Sequence, residues 1–272
     1  EKQSLWKKPR GKIMDHSSTY SKQITNMKTR TTINQSAERI PMSSLRKTSL
    51  TAGGLYLLTF VSIPTLALYG PIHETNYIVS SGSDTAVIVG GILEIIVGLA
   101  GIGTAIVLFP VLRRQSEEMA VGLVASRILE ASTMFAGVAF LLSVVALRQS
   151  GAGPAALPVG QALVTLYDRI FLLGQSFMPA LNDLLLGYLL YKSRLVPRML
   201  ALIGMAGALP LIVGYLAVMF GVIGQHSPWA GLSALLVAVF EFSLGVWLVV
   251  KGFSVKPVAV SSKQNLFRLA AR

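Results

Sequence analysis

Six stretches of this chain are apolar for long enough to cross a bilayer, and no other feature restricts its fold as strongly. They cover residues 48–69, 85–112, 119–147, 161–191, 199–223 and 229–250, each near or above the roughly 20 residues a helical crossing needs. Composition agrees, with 53% hydrophobic and 13% charged residues against about 25% charged in a soluble domain. The expected fold is all-α: a polytopic membrane helix bundle with six transmembrane helices in one domain over residues 48–252. A basic, polar arm, disordered or extended, precedes it over 1–47, and a short basic tail follows over 253–272.

The net charge of +12 is distributed as topology, not as a nucleic-acid surface. Lysines and arginines crowd the first 47 residues, the connections at Arg113-Arg114 and Lys192-Arg194, and the tail from Lys251. The alternate connections, around 71–83, 149–160 and 224–228, hold none. This positive-inside asymmetry places both termini in the cytoplasm, and anionic lipid headgroups are a further role for the basic residues. The expected location is the bacterial cytoplasmic (inner) membrane, with no nucleic-acid partner. The chain opens on Glu1, so residues ahead of Met27 are read as including an extension. No secretory leader is visible, and Asn34-Gln35-Ser36 is a sequon on the wrong side to matter.

Against that apolar background, a few ionisable residues stand out. Glu94, Arg127, Glu130, Asp168, Arg169, Asp183 and Glu241 lie inside the apolar stretches, where an ionised side chain costs roughly 2.5–3.5 kcal/mol even on lenient scales. At 1.5 Å per residue, Arg127 and Asp183 fall about 12–13 Å from the cytoplasmic ends of their segments, and Glu241 about 15 Å. They share a layer in which Arg127 could pair with Asp183, while Glu130, three residues on, occupies the same helix face. Glu94, Asp168 and Arg169 lie nearer the other side. Together with Asn182 these eight residues are the candidates for a buried polar network or ligand site. Its carboxyls outnumber its arginines, so a proton or cation is expected to complete the balance. Pro64, Pro179 and Pro210 fall within segments, where each removes a helix donor and favours a kink. A broken helix lining a cavity is the alternative at Pro179. Gly98, Gly101, Gly103 and Ala105, and Gly204, Ala206, Gly207 and Ala208, supply small-residue faces for packing within the chain or in a homodimer.

Several chemistries are excluded. Without cysteine there is no thiolate metal site or nucleophile. His16, His73 and His226 lie in a tail and in connections, so there is no HExxH helix and no buried imidazole base. Glu117-Glu118 sits at a helix start, where acids favour the dipole, and Ser126, Ser132 and Ser176 have no histidine at helical spacing. No GxGxxG or P-loop occurs. No metal and no cofactor are expected, and the balance leans away from an enzyme.

Five separated motifs carry a family resemblance across residues 45–253. They are Gly101-Ile-Gly-Thr-Ala105 leading to Leu108-Phe-Pro-Val-Leu-Arg113; Val124-Ala-Ser-Arg-Ile-Leu-Glu130; Leu195-Val-Pro-Arg198; Leu200-Ala-Leu-Ile-Gly204; and Glu241 leading to Leu244-Gly-Val-Trp-Leu248 and Lys251-Gly-Phe253. The chain resembles the bacterial membrane-protein family called domain of unknown function 4386. The resemblance implies a membrane fold and no particular activity. Members often have His-Asp where this chain has Tyr167-Asp168, and a non-acidic residue at Asp183. An Arg127/Asp183 pair would therefore be peculiar to this protein. The function classes left are a structural or accessory subunit with a buried charged network, a transporter or sensor of a small solute, proton or cation using intramembrane carboxylates, and an intramembrane lipid-acting enzyme. Expected partners are membrane lipids, with a second membrane subunit or a homodimer as further options.

Overall fold

A computed structural model describes residues 42–60 and 63–254 of the chain. Among these residues every regular element is helical. In chain order they are α1 (Met42–Thr59), α2 (Ile63–Leu68), α3 (Thr85–Leu112), α4 (Glu117–Gln149), α5 (Leu157–Phe171), α6 (Met178–Ser193), α7 (Arg198–Met219), α8 (Pro228–Ser233) and α9 (Leu235–Val250). Short 3-10 turns occupy Pro71–His73, Tyr77–Val79 and Pro154–Ala156, and a π-helical turn, Leu172–Ser176, joins α5 to α6. Most of the basic arm, with His16 and the sequon, lies outside the described residues, as does the tail beyond Ser254.

Among the described residues, four helical stretches are long and apolar enough to cross a membrane: Thr85–Leu112, Glu117–Gln149, Pro154–Ser193 and Arg198–Met219. The first and last expected crossings are each built from two shorter helices. In the last, the Ser233 hydroxyl donates to the Ala230 carbonyl at 2.6 Å, a local bond that competes with helix continuation, and α8 ends there. The first described helix begins at Met42, inside the stretch read as a disordered or extended arm. The Arg46 guanidinium explains this early start, because it donates to the carbonyls of Leu248 and Val249 at the end of α9. Orphan carbonyls at a helix C-terminus are good acceptors for a cation.

The bundle is apolar outside and polar within. Ile92, Leu99 and Ile106 recur at seven-residue spacing on α3 and are all exposed, whereas Glu94 on the same helix is buried. Small residues set the inner contacts. A Cβ on Gly204 would lie 2.7 Å from the Phe240 ring, and one on Gly187 would lie 3.0 Å from the Ala201 carbonyl. These faces bring α7 against α9 and α6 against α7. The two largest buried apolar clusters lie toward opposite ends of the bundle. One gathers Tyr56, Leu108, Leu123, Leu186, Leu189, Phe240 and Leu244 toward the basic connections. The other gathers Tyr69, Ile72, Tyr77, Val87, Leu141 and Val144 toward the remaining connections. Along α4 the charged residues Arg127 and Glu130 fall between the two clusters.

That second end, here the loop end, is tied by one arginine. Arg148 donates to Asp84 at 3.0 Å and to the carbonyls of Ser80 and Gly82, and its guanidinium lies 4.6 Å from the centre of the Tyr77 ring. Burial pushes the Asp84 carboxyl up, but donors from Tyr77, Gln149 and Arg148 outweigh it and hold the group below its usual value. Arg148 thus places a basic residue beside the loop-end connections, just before the stretch read as free of them.

Candidate functional site

Two polar assemblies occupy the interior. The first is a layer centred on Arg127 of α4. Its guanidinium donates to Glu130 at 3.0 Å and to Glu241 of α9 at 2.6 Å, and it lies over the Tyr56 ring of α1. Asn182 of α6 donates to the same Glu130 oxygen at 2.7 Å and accepts from Ser126 at 2.5 Å. Four helices are thereby locked in register by charge-assisted bonds. Asp183 does not pair with Arg127, contrary to expectation. It is fully buried, and neither carboxyl oxygen has a hydrogen-bond partner among the described residues. The reason is geometric: Glu130 and Glu241 occupy the Arg127 fork, Glu130 being three residues away on the same helix.

The layer therefore holds three carboxyls (Glu130, Asp183, Glu241) and one guanidinium. Full ionisation would leave two negative charges uncompensated, an expensive arrangement away from water. Beside it lies a cavity of about 260 Å³, bordered by Arg127, Glu130, Glu241, Gln175 and Pro179 among apolar walls.

The second assembly lies toward the loop end. Glu94 of α3 is buried and accepts three neutral donors: the Tyr69 hydroxyl at 2.8 Å, the Tyr167 hydroxyl at 3.3 Å and the Gln175 amide. Gln175 is presented by the π turn. Pro179 deprives the Gln175 carbonyl of its usual helical donor, and the chain answers with a wider turn. Gly174 permits that turn to press against α4, since a Cβ there would lie 1.8 Å from the Thr133 hydroxyl. The helix thus carries a wider turn where it borders the cavity and continues through it as one stretch, Pro154–Ser193.

Tyr69 and Tyr167 also form the floor of a second cavity of about 520 Å³, with His73, Asp168, Phe171, Tyr215, Gln225 and His226 around it. Asp168 lies eleven residues into α5, about 16 Å along the helix, so this vestibule reaches deep between the helices. His73 meets Asp168 at 3.1 Å. The hydrogen bond to Asp168 raises the pKa of the His73 ring against the opposing effect of burial. Arg169, expected in the same network, is exposed on the bundle surface. Its neighbour Asp168 takes the inward direction, and one residue turns a side chain about 100° around a helix.

The family pattern described as Domain of unknown function (DUF4386) matches residues 51–252. The chain belongs to this family. No curated protein and no solved structure matches it. This DUF4386 protein is a membrane protein whose described residues form helices and no strand.

Of the eight candidate residues, the fold joins Arg127, Glu130, Asn182 and Glu241 by direct bonds and buries Asp183 within electrostatic reach of Arg127, Glu130 and Glu241. It sets Glu94 and Asp168 in the second assembly and leaves Arg169 outside both. Tyr56, Tyr69, His73, Gln175 and His226 were not among the candidates. Gln175 carried the same signal as Glu94, a polar side chain inside an apolar run. The histidines carried none, because connections give no depth.

Proposed function

We propose that this DUF4386 protein conducts or senses protons through its interior, with Glu94 linking the vestibule to the Arg127 cavity. The observation that carries the reading is the double bonding of Glu94. Tyr69 and Tyr167, which donate to it, line the vestibule, and Gln175, which also donates to it, lines the cavity. A tyrosine hydroxyl both donates and accepts, so a proton can pass from the vestibule to the carboxyl. Three hydrogens already point at Glu94, which leaves a bare metal ion no lone-pair cage there. On the cavity side the Gln175 amide holds the Glu94 carboxyl in place and carries no proton itself; water in the cavity takes the proton from Glu94 to the Glu130, Asp183 and Glu241 layer, whose surplus of carboxyls gives it a reason to stay. Ionisable residues of this kind inside a membrane commonly mark proton or ion pathways.

The reading includes six crossings with both termini in the cytoplasm of a bacterial inner membrane. Its supports are the long apolar helices and the basic residues at Arg113, Arg114, Lys192, Arg194 and Lys251, all at the end opposite the vestibule. In that orientation the vestibule faces outward. A structural or accessory subunit is favoured instead by the Arg127 fork, which holds α4 to α9 whether or not a proton moves. Proteoliposomes containing a pH-sensitive dye separate the two. Glu94→Gln should abolish proton flux driven by a membrane potential, with the melting temperature within a few degrees of wild type. Equal flux through wild type and Glu94→Gln, or none through wild type above empty liposomes, would refute the proton reading.

A further inference from the structure

Three side chains meet in the vestibule that the relay through Glu94 does not use. His73 comes from the turn Pro71–His73, Asp168 from α5 and His226 from the connection before α8, and one ligand atom from each lies within 4.8 Å of the others. Their hydrogens do not balance in a simple way. His73 Nδ1 is 2.8 Å from the Tyr69 carbonyl oxygen, which only accepts, so Nδ1 carries the hydrogen. In a neutral ring Nε2 then presents a lone pair to the Asp168 oxygen 3.1 Å away. Two acceptors at that distance need positive charge between them. A second ring proton would supply it for this pair alone. The His226 ring, however, stands edge-on to His73 with centroids 5.7 Å apart, bringing a further imidazole to the same point.

We propose that His73, Asp168 and His226 bind one divalent cation of borderline softness, Zn²⁺ being the best match. Two imidazoles and a carboxylate are a usual set for that ion, with bonds of about 2.0–2.2 Å and ligand atoms therefore about 3.3 Å apart. His73 and Asp168 already stand near that separation. His226 is exposed and has to close by up to about 1.5 Å to complete the set. The surroundings are those of a ligating histidine. The Tyr69 carbonyl fixes the His73 tautomer so that Nε2 faces the ion, the usual outer-shell device. The Gln225 amide donates to the Asp168 backbone carbonyl at 3.0 Å, holding the segment that bears His226 against α5.

A further observation points to the same place. The other end of the Gln225 amide, its Oε1, is buried in the vestibule wall without a hydrogen-bond partner among the described residues. A water or other hydroxylic ligand held in the vestibule would have this acceptor open to it. Three protein ligands and one position open to a cavity of about 520 Å³ leave room for an exchangeable ligand. This site stands whether or not Glu94 carries protons.

The test uses full-length, untagged protein in detergent, stripped with chelator, in a His16→Ala background so that the tail imidazole cannot contribute. Calorimetric titration with ZnCl₂ should give one site per chain. His73→Ala, Asp168→Asn and His226→Ala should each weaken it about tenfold or more. Co²⁺ should give the intense visible bands of a low-coordinate ion in the parent and not in His226→Ala. Because His226 is exposed, that variant should fold, and Zn²⁺ should raise the melting temperature of the parent and not of His226→Ala. Absence of saturable binding, or binding unchanged in any of the three variants, would overturn the site and leave a His73–Asp168 ion pair alone.

Discussion

The Arg127 layer and the vestibule both place carboxylates deep in the bundle, yet they compensate them differently. Around Arg127 the partner is a fixed cation, buried and shared by Glu130 and Glu241 from two helices. Around Glu94 the partners are two phenols and an amide, all neutral, the phenols bordering the vestibule and the amide the Arg127 cavity. A fixed cation holds helices in place and balances one of the layer's three carboxyls, leaving the others to share a proton. Neutral donors let a carboxyl gain and lose a proton without leaving a bare charge behind. The first region is suited to architecture and the second to exchange.

Removing the fixed cation should have the largest effect. Arg127→Met leaves Glu130 and Glu241 buried without a counter-charge and should destabilise the protein by about 3–5 kcal/mol, measured by unfolding in detergent. A stability near wild type would show that the layer is already neutral and erase the contrast with Glu94. Next comes the π turn that separates the regions. Gly174→Val forces a side chain into Thr133, with an expected cost of about 1–3 kcal/mol and loss of proton flux as Gln175 is displaced. Flux retained in a folded Gly174→Val protein would mean that Gln175 is not part of the link.

A smaller and pH-dependent effect belongs to the loop end. Asp84 is held below its usual pKa in the folded state. Its contribution is therefore present above the unfolded value of about 3.9 and fades as pH falls through the lower folded value. Asp84→Asn should be less stable than wild type at pH 7, by about 1 kcal/mol, and the gap should close as the pH drops below about 4. A gap that persists in acid would assign the effect to packing. The smallest effect is expected from His226→Ala, whose exposed ring should change metal-free stability by no more than about 0.5 kcal/mol.

The two regions also differed in how far the sequence revealed them. Helical segments carry a ruler, so counting residues along α4, α6 and α9 was enough to suggest that Arg127, Glu130, Asp183 and Glu241 share a depth. It could not say which carboxylate takes the guanidinium, because rotation about each helix axis is fixed only by packing. The glycine faces at Gly187, Gly204 and Gly207 seat α6 and α9 against α7, and in that seating Glu241 joins Glu130, Arg127's neighbour on α4, in the fork. The vestibule depends on connections instead. His73 and His226 are 153 positions apart in the chain, and nothing in their spacing tells that both come to lie beside Asp168. The break in the last expected crossing was hidden for a similar reason. The Ser233 bond to Ala230 is local, and an apolar run reads the same across it.

The central claim is that Glu94 couples the two regions, and infrared difference spectroscopy of the protein in lipid tests it most directly. A pH step on the vestibule side should produce carboxyl C=O signals from Glu94 and from the Arg127 layer, assigned with Glu94→Gln and Glu241→Gln. The account predicts that Glu94→Gln removes its own signal and silences that of the Arg127 layer. If the Arg127-layer signal survives unchanged in Glu94→Gln, protons reach that cavity by another route and the coupling is wrong.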